Sequence, residues 1–208
     1  MPTPARHLVL FAREPRLGAV KRRLARDVGR QRALAFYRQT LFTVMRRTLG
    51  DPRWTPWLAV TPDRAACAPA LRRPGSRLIG QGRGDLGARM ARVFRTLPPG
   101  PVVIVGSDIP ALDSEHIASA FAALGRADAV LGPSGDGGYW LIGLRRRAPP
   151  PPTLFRGVRW SSPYAYADTG ATFPRAYKVA TLVTLEDVDD GGDYERLFRS
   201  PTDKEPAP

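Results

Sequence analysis

Residues 101–106 read PVVIVG, an apolar run of strand length with no polar alternation, and such a run is stable only where both faces of a sheet are covered. His7 to Ala12 (HLVLFA) has the same character, and Trp54 to Thr61 and Arg77 to Ile79 add two more strand-like segments. Between them the spacing becomes helical. Leu34, Tyr37, Leu41, Val44 and Leu49 recur at three- to five-residue intervals and predict an amphipathic helix over 31–49. Further helices are predicted from about Ala19, near 64–71 and 88–97, from Asp113 or Ser114 to Leu124, within 160–172 and over 193–199; strands are predicted at 128–132, 139–144 and 178–185. Strands alternating with helices define the α/β class: a single three-layer α/β/α domain with a mostly parallel sheet. The 208 residues suffice for one such domain, expected over 1–199, with a disordered tail over 200–208 ending in PTDKEPAP.

The formal net charge of +13 would suit a nucleic-acid partner, but its distribution argues against one. Lysine stands only at 21, 178 and 204, so 29 of the 32 basic residues are arginine, scattered through most segments rather than interleaved with aromatics. That pattern reads as a compositional bias, with no nucleic-acid partner expected. No apolar run approaches the roughly 18 residues of a membrane span, and the start of the chain lacks a signal-peptide core, so a cytosolic protein is expected. Cys67 is the only cysteine, which excludes internal disulfides and cysteine-cluster zinc sites.

In open α/β sheets ligands bind at the carboxyl ends of strands. The segments expected there are FAREPRLGAVK, QGRGDLG, GSDIPAL, GPSGDGGYW and EDVDD, each carrying glycine, acid or base. In the first, Lys21, Arg22 and Arg23 fall in the predicted first turn of a helix, where the macrodipole disfavours cations, so they need an outside anion or solvent exposure; a phosphate ester is the natural anion. Lys21 stands out because the chain otherwise uses arginine. Asp108 at a buried strand tip is costly unless it is hydrogen-bonded or meets a cation, and magnesium held by carboxylates and phosphate oxygens is the expected one. A second carboxylate would come from Asp187 or Asp189. Strand alternation would turn these two in different directions, and Asp189 is the expected ligand. Asp136 would orient or deprotonate an acceptor hydroxyl, with Trp160, Ser161 and Ser162 walling the same pocket. Gly82, Gly84 and Gly87 match the dinucleotide spacing G-x-G-x-x-G, yet Asp85 between them would bring a carboxylate to a pyrophosphate and suits a helix N-cap better.

Taken in order, FAREPRLGAVK, QGRGDLGARM, VVIVGSDIPAL, ADAVLGPSGDGGYWLIGL, the WSS of 160–162 and the terminal DVD resemble the DUF2064 group of GT-A-like transferases, relatives of 2-phospholactate and molybdenum-cofactor guanylyltransferases. The resemblance runs from about residue 7 to 197. It implies the GT-A (nucleotide-diphospho-sugar transferase) fold and an Mg2+- or Mn2+-dependent transferase. The donor would be a nucleotide or nucleotide sugar, and the acceptor an unidentified small molecule. Glycosyl transfer is the expected reaction and nucleotidyl transfer the alternative. Ala12, Arg13, Gly18 and Lys21 would hold phosphates. Gln81, Gly82 and Gly84 would lie against the base, Asp108 and Asp189 would bind the metal, and Asp136, Tyr139 and Trp160 would face the acceptor. Lys21, Asp108 and Asp136 are the expected catalytic residues. The chain departs from the family pattern where Arg22 replaces a threonine, where WSS replaces WST, and where Asp190-Gly191-Gly192-Asp193-Tyr194 replaces Thr-Pro-Glu-Asp-Leu. The two glycines predict a looser start to the last helix.

Overall fold

The computed structural model describes residues 5–198, so the tail expected at 200–208 lies outside the described residues. Seven strands form one sheet: β1 (His7–Arg13), β2 (Thr55–Thr61), β3 (Arg77–Gly80), β4 (Val102–Gly106), β5 (Ala129–Pro133), β6 (Tyr139–Leu144) and β7 (Val179–Thr181), in the order β3-β2-β1-β4-β6-β5-β7. Only β6 is reversed, pairing antiparallel with both β4 and β5. The β5–β6 connection therefore returns to the sheet edge at which β1 and β4 end.

Both faces of the sheet are covered, as the unbroken apolar runs require. Leu8 and Leu10 of β1 pack with Leu41 and Val44 of α2 (Arg30–Thr48) and with Ile117 and Phe121 of α4 (Ser114–Leu124). Val9 and Ile104 pack on the other face against Met90 and Phe94 of α3 (Leu86–Thr96) and against Phe155. Leu8, Val9 and Leu10 are each 0% exposed, so neither side of β1 has room for a polar residue. Two predicted caps form: Asp85 accepts from Ala88 N, and Asp113 accepts from Glu115 N and His116 N. Among the described residues no helix is long and apolar enough to cross a membrane.

Three elements differ from expectation. The helix at 64–71 is two short 3-10 turns, Asp63–Cys67 and Pro69–Leu71, because Ala68 is extended ahead of Pro69. The strand at 178–185 shrinks to Val179–Thr181. The helix expected from Ala19 begins only at Leu24, as α1 (Leu24–Val28), and Lys21 has a left-handed backbone with φ 44°. Lys21, Arg22 and Arg23 thus precede the helix rather than occupy its first turn, and the macrodipole does not account for them. Two further helices, α5 (Ala165–Ala171) and α6 (Gly191–Phe198), follow the sheet's reversed strand.

His7, 2% exposed at the start of β1, has both ring nitrogens committed: Trp57 Nε1 donates to Nδ1 at 3.2 Å, and Nε2 lies 3.3 Å from Pro99 O. This fixes the neutral ring with its proton on Nε2, and burial holds the pKa below the ordinary 6.5. The unfolded chain then binds the extra proton first as pH falls, so stability present above about 6.5 is lost toward the lower folded value. Melting curves at pH 7.5 and 5 are expected to show a larger fall for the wild type than for His7→Asn, which cannot titrate. An equal fall in both proteins would refute this assignment.

Candidate active site

The exits of β1 and β4, the loop before α1, the first turn of α3, the start of β6 and the segment after β7 enclose a cleft of about 780 Å³. Of the residues expected to bind a donor, Ala12, Arg13, Lys21 and Gln81 line it. Asp108 and Asp189 lie on its floor with them, and Tyr139 and Trp160 close one side. Tyr37 on α2 ties the floor together: its hydroxyl accepts from Arg13 N at 2.8 Å, donates to Arg13 O at 3.1 Å and lies 3.2 Å from Ser107 Oγ. One buried phenol thereby fixes the ends of both central strands.

The centre of the cleft is a cluster of carboxylates around one ammonium. Oxygens of Asp108, Asp187 and Asp189 all lie within 4.8 Å of one another. Lys21 Nζ donates to Asp108 Oδ2 at 2.7 Å and to Asp189 Oδ1 at 2.8 Å, and Arg23 Nη1 reaches Asp189 Oδ2 at 3.2 Å. Burial alone would lower the Lys21 pKa, but the two carboxylates hold it above its ordinary value. Burial likewise opposes the Asp108 carboxylate, and the Lys21 charge overrides it to hold that pKa low. Asp187 is pushed up to about 7, first by burial and then by the charges of Asp189, Asp108 and Asp136. Lys21 therefore does not supply enough positive charge for three acids. A hard, oxygen-rich donor set short of cation suits Mg2+ or Mn2+, so the residues fit a divalent metal.

Asp187 and Asp189 reach the same point, against the expectation that alternation would separate them. Regular pairing ends at Thr181, so the period-two rule of a strand no longer applies at 187–189. The start of α6 is also tighter than expected. Asp190 Oδ1 accepts from Asp193 N at 3.0 Å while Asp193 Oδ2 accepts from Asp190 N at 3.2 Å, the reciprocal arrangement of a capping box built from two aspartates. Asp193 Oδ2 also accepts from Asp189 N at 2.8 Å, which holds the backbone at Asp189 in place. Gly191 N donates to Asp27 Oδ2 at 2.8 Å, and a Cβ there would lie 2.8 Å from Asp27 Cβ. The glycine is the residue that lets α6 dock on α1, beside the loop that carries Lys21.

Four expected site residues lie outside the cleft lining. Gly18 borders a neighbouring hollow lined by Arg16, Arg22, Arg26 and Arg30. Gly82 and Gly84, with φ 83° and 102°, shape the turn that leads to the Asp85 cap. Asp136 uses Oδ1 to accept from Gly138 N at 2.8 Å within its own turn. Gln81 is in place but largely committed: Nε2 donates to Ala12 O at 3.1 Å and Ala59 O at 2.9 Å, leaving Oε1 to meet a ligand. Sequence reading missed Tyr37, Ser107 and Arg89 as cleft residues, whereas Ser161, expected beside Trp160, lines it. Lys21 and Ser161, at φ 44° and 58°, are two of only four described non-glycine residues with a left-handed backbone, the kind of strain that clusters at functional sites.

The profile of a family described as "Uncharacterized protein conserved in bacteria (DUF2064)" matches residues 44–162. No curated protein matches the chain. Among solved structures, a protein from Desulfovibrio desulfuricans G20, provisionally named a nucleotide-diphospho-sugar transferase, superposes with TM-score 0.85 at 30% identity, covering 96% of this chain and 89% of that one. CMP:2-keto-3-deoxy-manno-octonic acid synthetase complexed with CTP gives 0.58 at 12%, covering 93% and 97%. Rv0371C complexed with manganese, from Mycobacterium tuberculosis H37Rv, gives 0.54 at 15%, covering 95% and 100%. At such identities the last two show a common fold and nothing finer. The profile match over more than half of the chain, joined to the 30%-identical structure that spans 96% of it, shows that the chain belongs to the DUF2064 family and has the nucleotide-diphospho-sugar transferase fold.

Proposed function

We propose that the protein is a divalent-metal-dependent transferase that moves a sugar from a nucleotide sugar to a small hydroxyl-bearing acceptor. The observation that carries this reading is the convergence of Asp108, Asp187 and Asp189 on one point beside Lys21, in a cleft at the carboxyl ends of β1 and β4. The 30%-identical relative named for nucleotide-diphospho-sugar transfer supports it, as does the neighbouring fold solved with manganese. A bound Mg2+ or Mn2+ would act as a Lewis acid that offsets charge on the departing diphosphate. Asp108, Asp187 and Asp189 would hold it. Arg13, Lys21 and Arg22 present cations to the donor phosphates from the β1 exit and the following loop, and Gln81 offers Oε1 as an acceptor to the base. On the acceptor side, Tyr139 and Trp160 form an aromatic wall that would limit the access of water. Asp136 lies outside the cleft lining but close enough for its charge to act on Asp187, and it would serve as base through Oδ2, the oxygen its own turn does not use.

Nucleotidyl transfer is the second reading. It is favoured by the density of cations in the cleft, where Arg13, Lys21, Arg22 and Arg23 together suit a triphosphate. The fold neighbour solved with CTP agrees with it. A thermal-shift panel of nucleotide sugars and nucleoside triphosphates, each with and without Mg2+ or Mn2+, tests both readings. Sugar transfer predicts the largest metal-dependent rise in melting temperature with a nucleotide sugar, and nucleotidyl transfer predicts it with a triphosphate. The absence of any metal-dependent shift would sink both.

A further inference from the structure

Lys21 is paired with two of the three carboxylates that would hold a metal at this centre. Its side chain is 6% exposed, and Nζ lies 2.7 Å from Asp108 Oδ2 and 2.8 Å from Asp189 Oδ1. Both oxygens of Asp189 face cations: Oδ1 accepts from Lys21 and Oδ2 from Arg23 at 3.2 Å. Magnesium binds oxygen at about 2.0–2.1 Å, so an ion on these carboxylates would lie close to the cations that already contact them. Arg23 is 66% exposed and tied to one carboxylate, whereas Lys21 is enclosed and bridges two. An ammonium and a dication held by the same carboxylates would repel each other at close range in a partly desolvated site.

Resting on the metal reading above, we propose that Lys21 is a tethered counter-ion that keeps the carboxylate cluster closed to metal until donor phosphates draw it away. The surroundings suit such a movement. The lysine stem is long and flexible, and Arg13 and Arg22 line the same cleft, so a phosphate bound between them gives the released ammonium a second anion within the site. The backbone at Lys21 sits in a left-handed conformation that L-residues disfavour, and its two ion pairs hold the side chain inward. The consequence is coupling. Metal and donor each bind weakly alone and strengthen one another, by the same factor in both directions.

Manganese titrations in the absence of nucleotide, followed by calorimetry and by the electron paramagnetic resonance of free Mn2+, test the idea. Lys21→Met is expected to bind Mn2+ at least tenfold more tightly than the wild type. Equal or weaker binding by the variant overturns the proposal while leaving the metal site intact, and Mn2+ binding to neither protein overturns the metal reading together with it. A measurement on the unaltered protein keeps the question open to refutation if the variant does not fold. With only three lysines in the chain, the 15N-detected ammonium signal of Lys21 is readily assigned. It is expected to be slow-exchanging in metal-free protein and to be lost at saturating Mg2+; a signal that persists unchanged refutes displacement.

Discussion

Asp108→Asn is expected to lower turnover by about 10³-fold and to abolish the metal-dependent thermal shift, while the fold survives. The substitution is nearly isosteric and leaves the strand that carries it untouched: Val102 to Val105 remain buried, and Ser107 stays within reach of the Tyr37 hydroxyl. What changes is charge. The variant removes one of three carboxylates and one of the two that hold Lys21, so the centre loses an anionic ligand where an ion would sit. It also relieves repulsion on Asp187 and Asp189, and the two effects oppose one another in the metal-free protein. The melting temperature without metal is therefore expected to stay within about 3 °C of wild type, roughly 1 kcal/mol for a chain of this size. Product formation from the best donor of the thermal-shift panel gives the activity. More than a tenth of wild-type turnover, or a metal shift that survives, would remove Asp108 from the centre.

The fold was legible because its strongest signals are local. HLVLFA and PVVIVG lack alternation since Leu8 and Leu10 meet one helical layer and Val9 and Ile104 the other, a property each strand carries in its own residues. Asp85 was readable for the same reason, as cap and helix are three residues apart. The centre of the cleft was legible only in part. Asp108 and Lys21 were identified, but their direct ion pair spans 87 positions and no local pattern encodes it. The turn that makes it possible requires a left-handed φ at Lys21, a conformation that residue preferences assign to glycine. Asp187 was set aside by applying strand alternation to a segment that pairs for only three residues. Tyr37 reads correctly as a core position on helical spacing. That its hydroxyl clamps two strand ends depends on how α2 crosses the sheet, which the spacing does not specify.

Gly137→Ala is expected to destabilise the protein by about 3 kcal/mol, a fall of roughly 6–12 °C in melting temperature. Gly137 has φ 82°, and a Cβ there would lie 2.1 Å from Pro163 O, too close to be accommodated without moving backbone. The contact joins the β5–β6 connection to the segment after Trp160, and Tyr166 N donates to Gly137 O at 3.0 Å across the same junction. Pushing these segments apart would also open the aromatic wall, because Tyr139 follows on one side and Trp160 precedes on the other, with ring centroids 6.4 Å apart. Gly157→Ala separates the two contributions: its φ is 73° but a Cβ would meet nothing within 4 Å, so it reports the conformational cost alone. Melting curves of both variants are expected to show the larger fall for Gly137→Ala. The metal-dependent donor shift should persist in whatever fraction stays folded, since Asp108, Asp187 and Asp189 lie on other segments. Equal falls in the two variants would show that the junction at Pro163 yields easily, and the aromatic wall would then need another restraint.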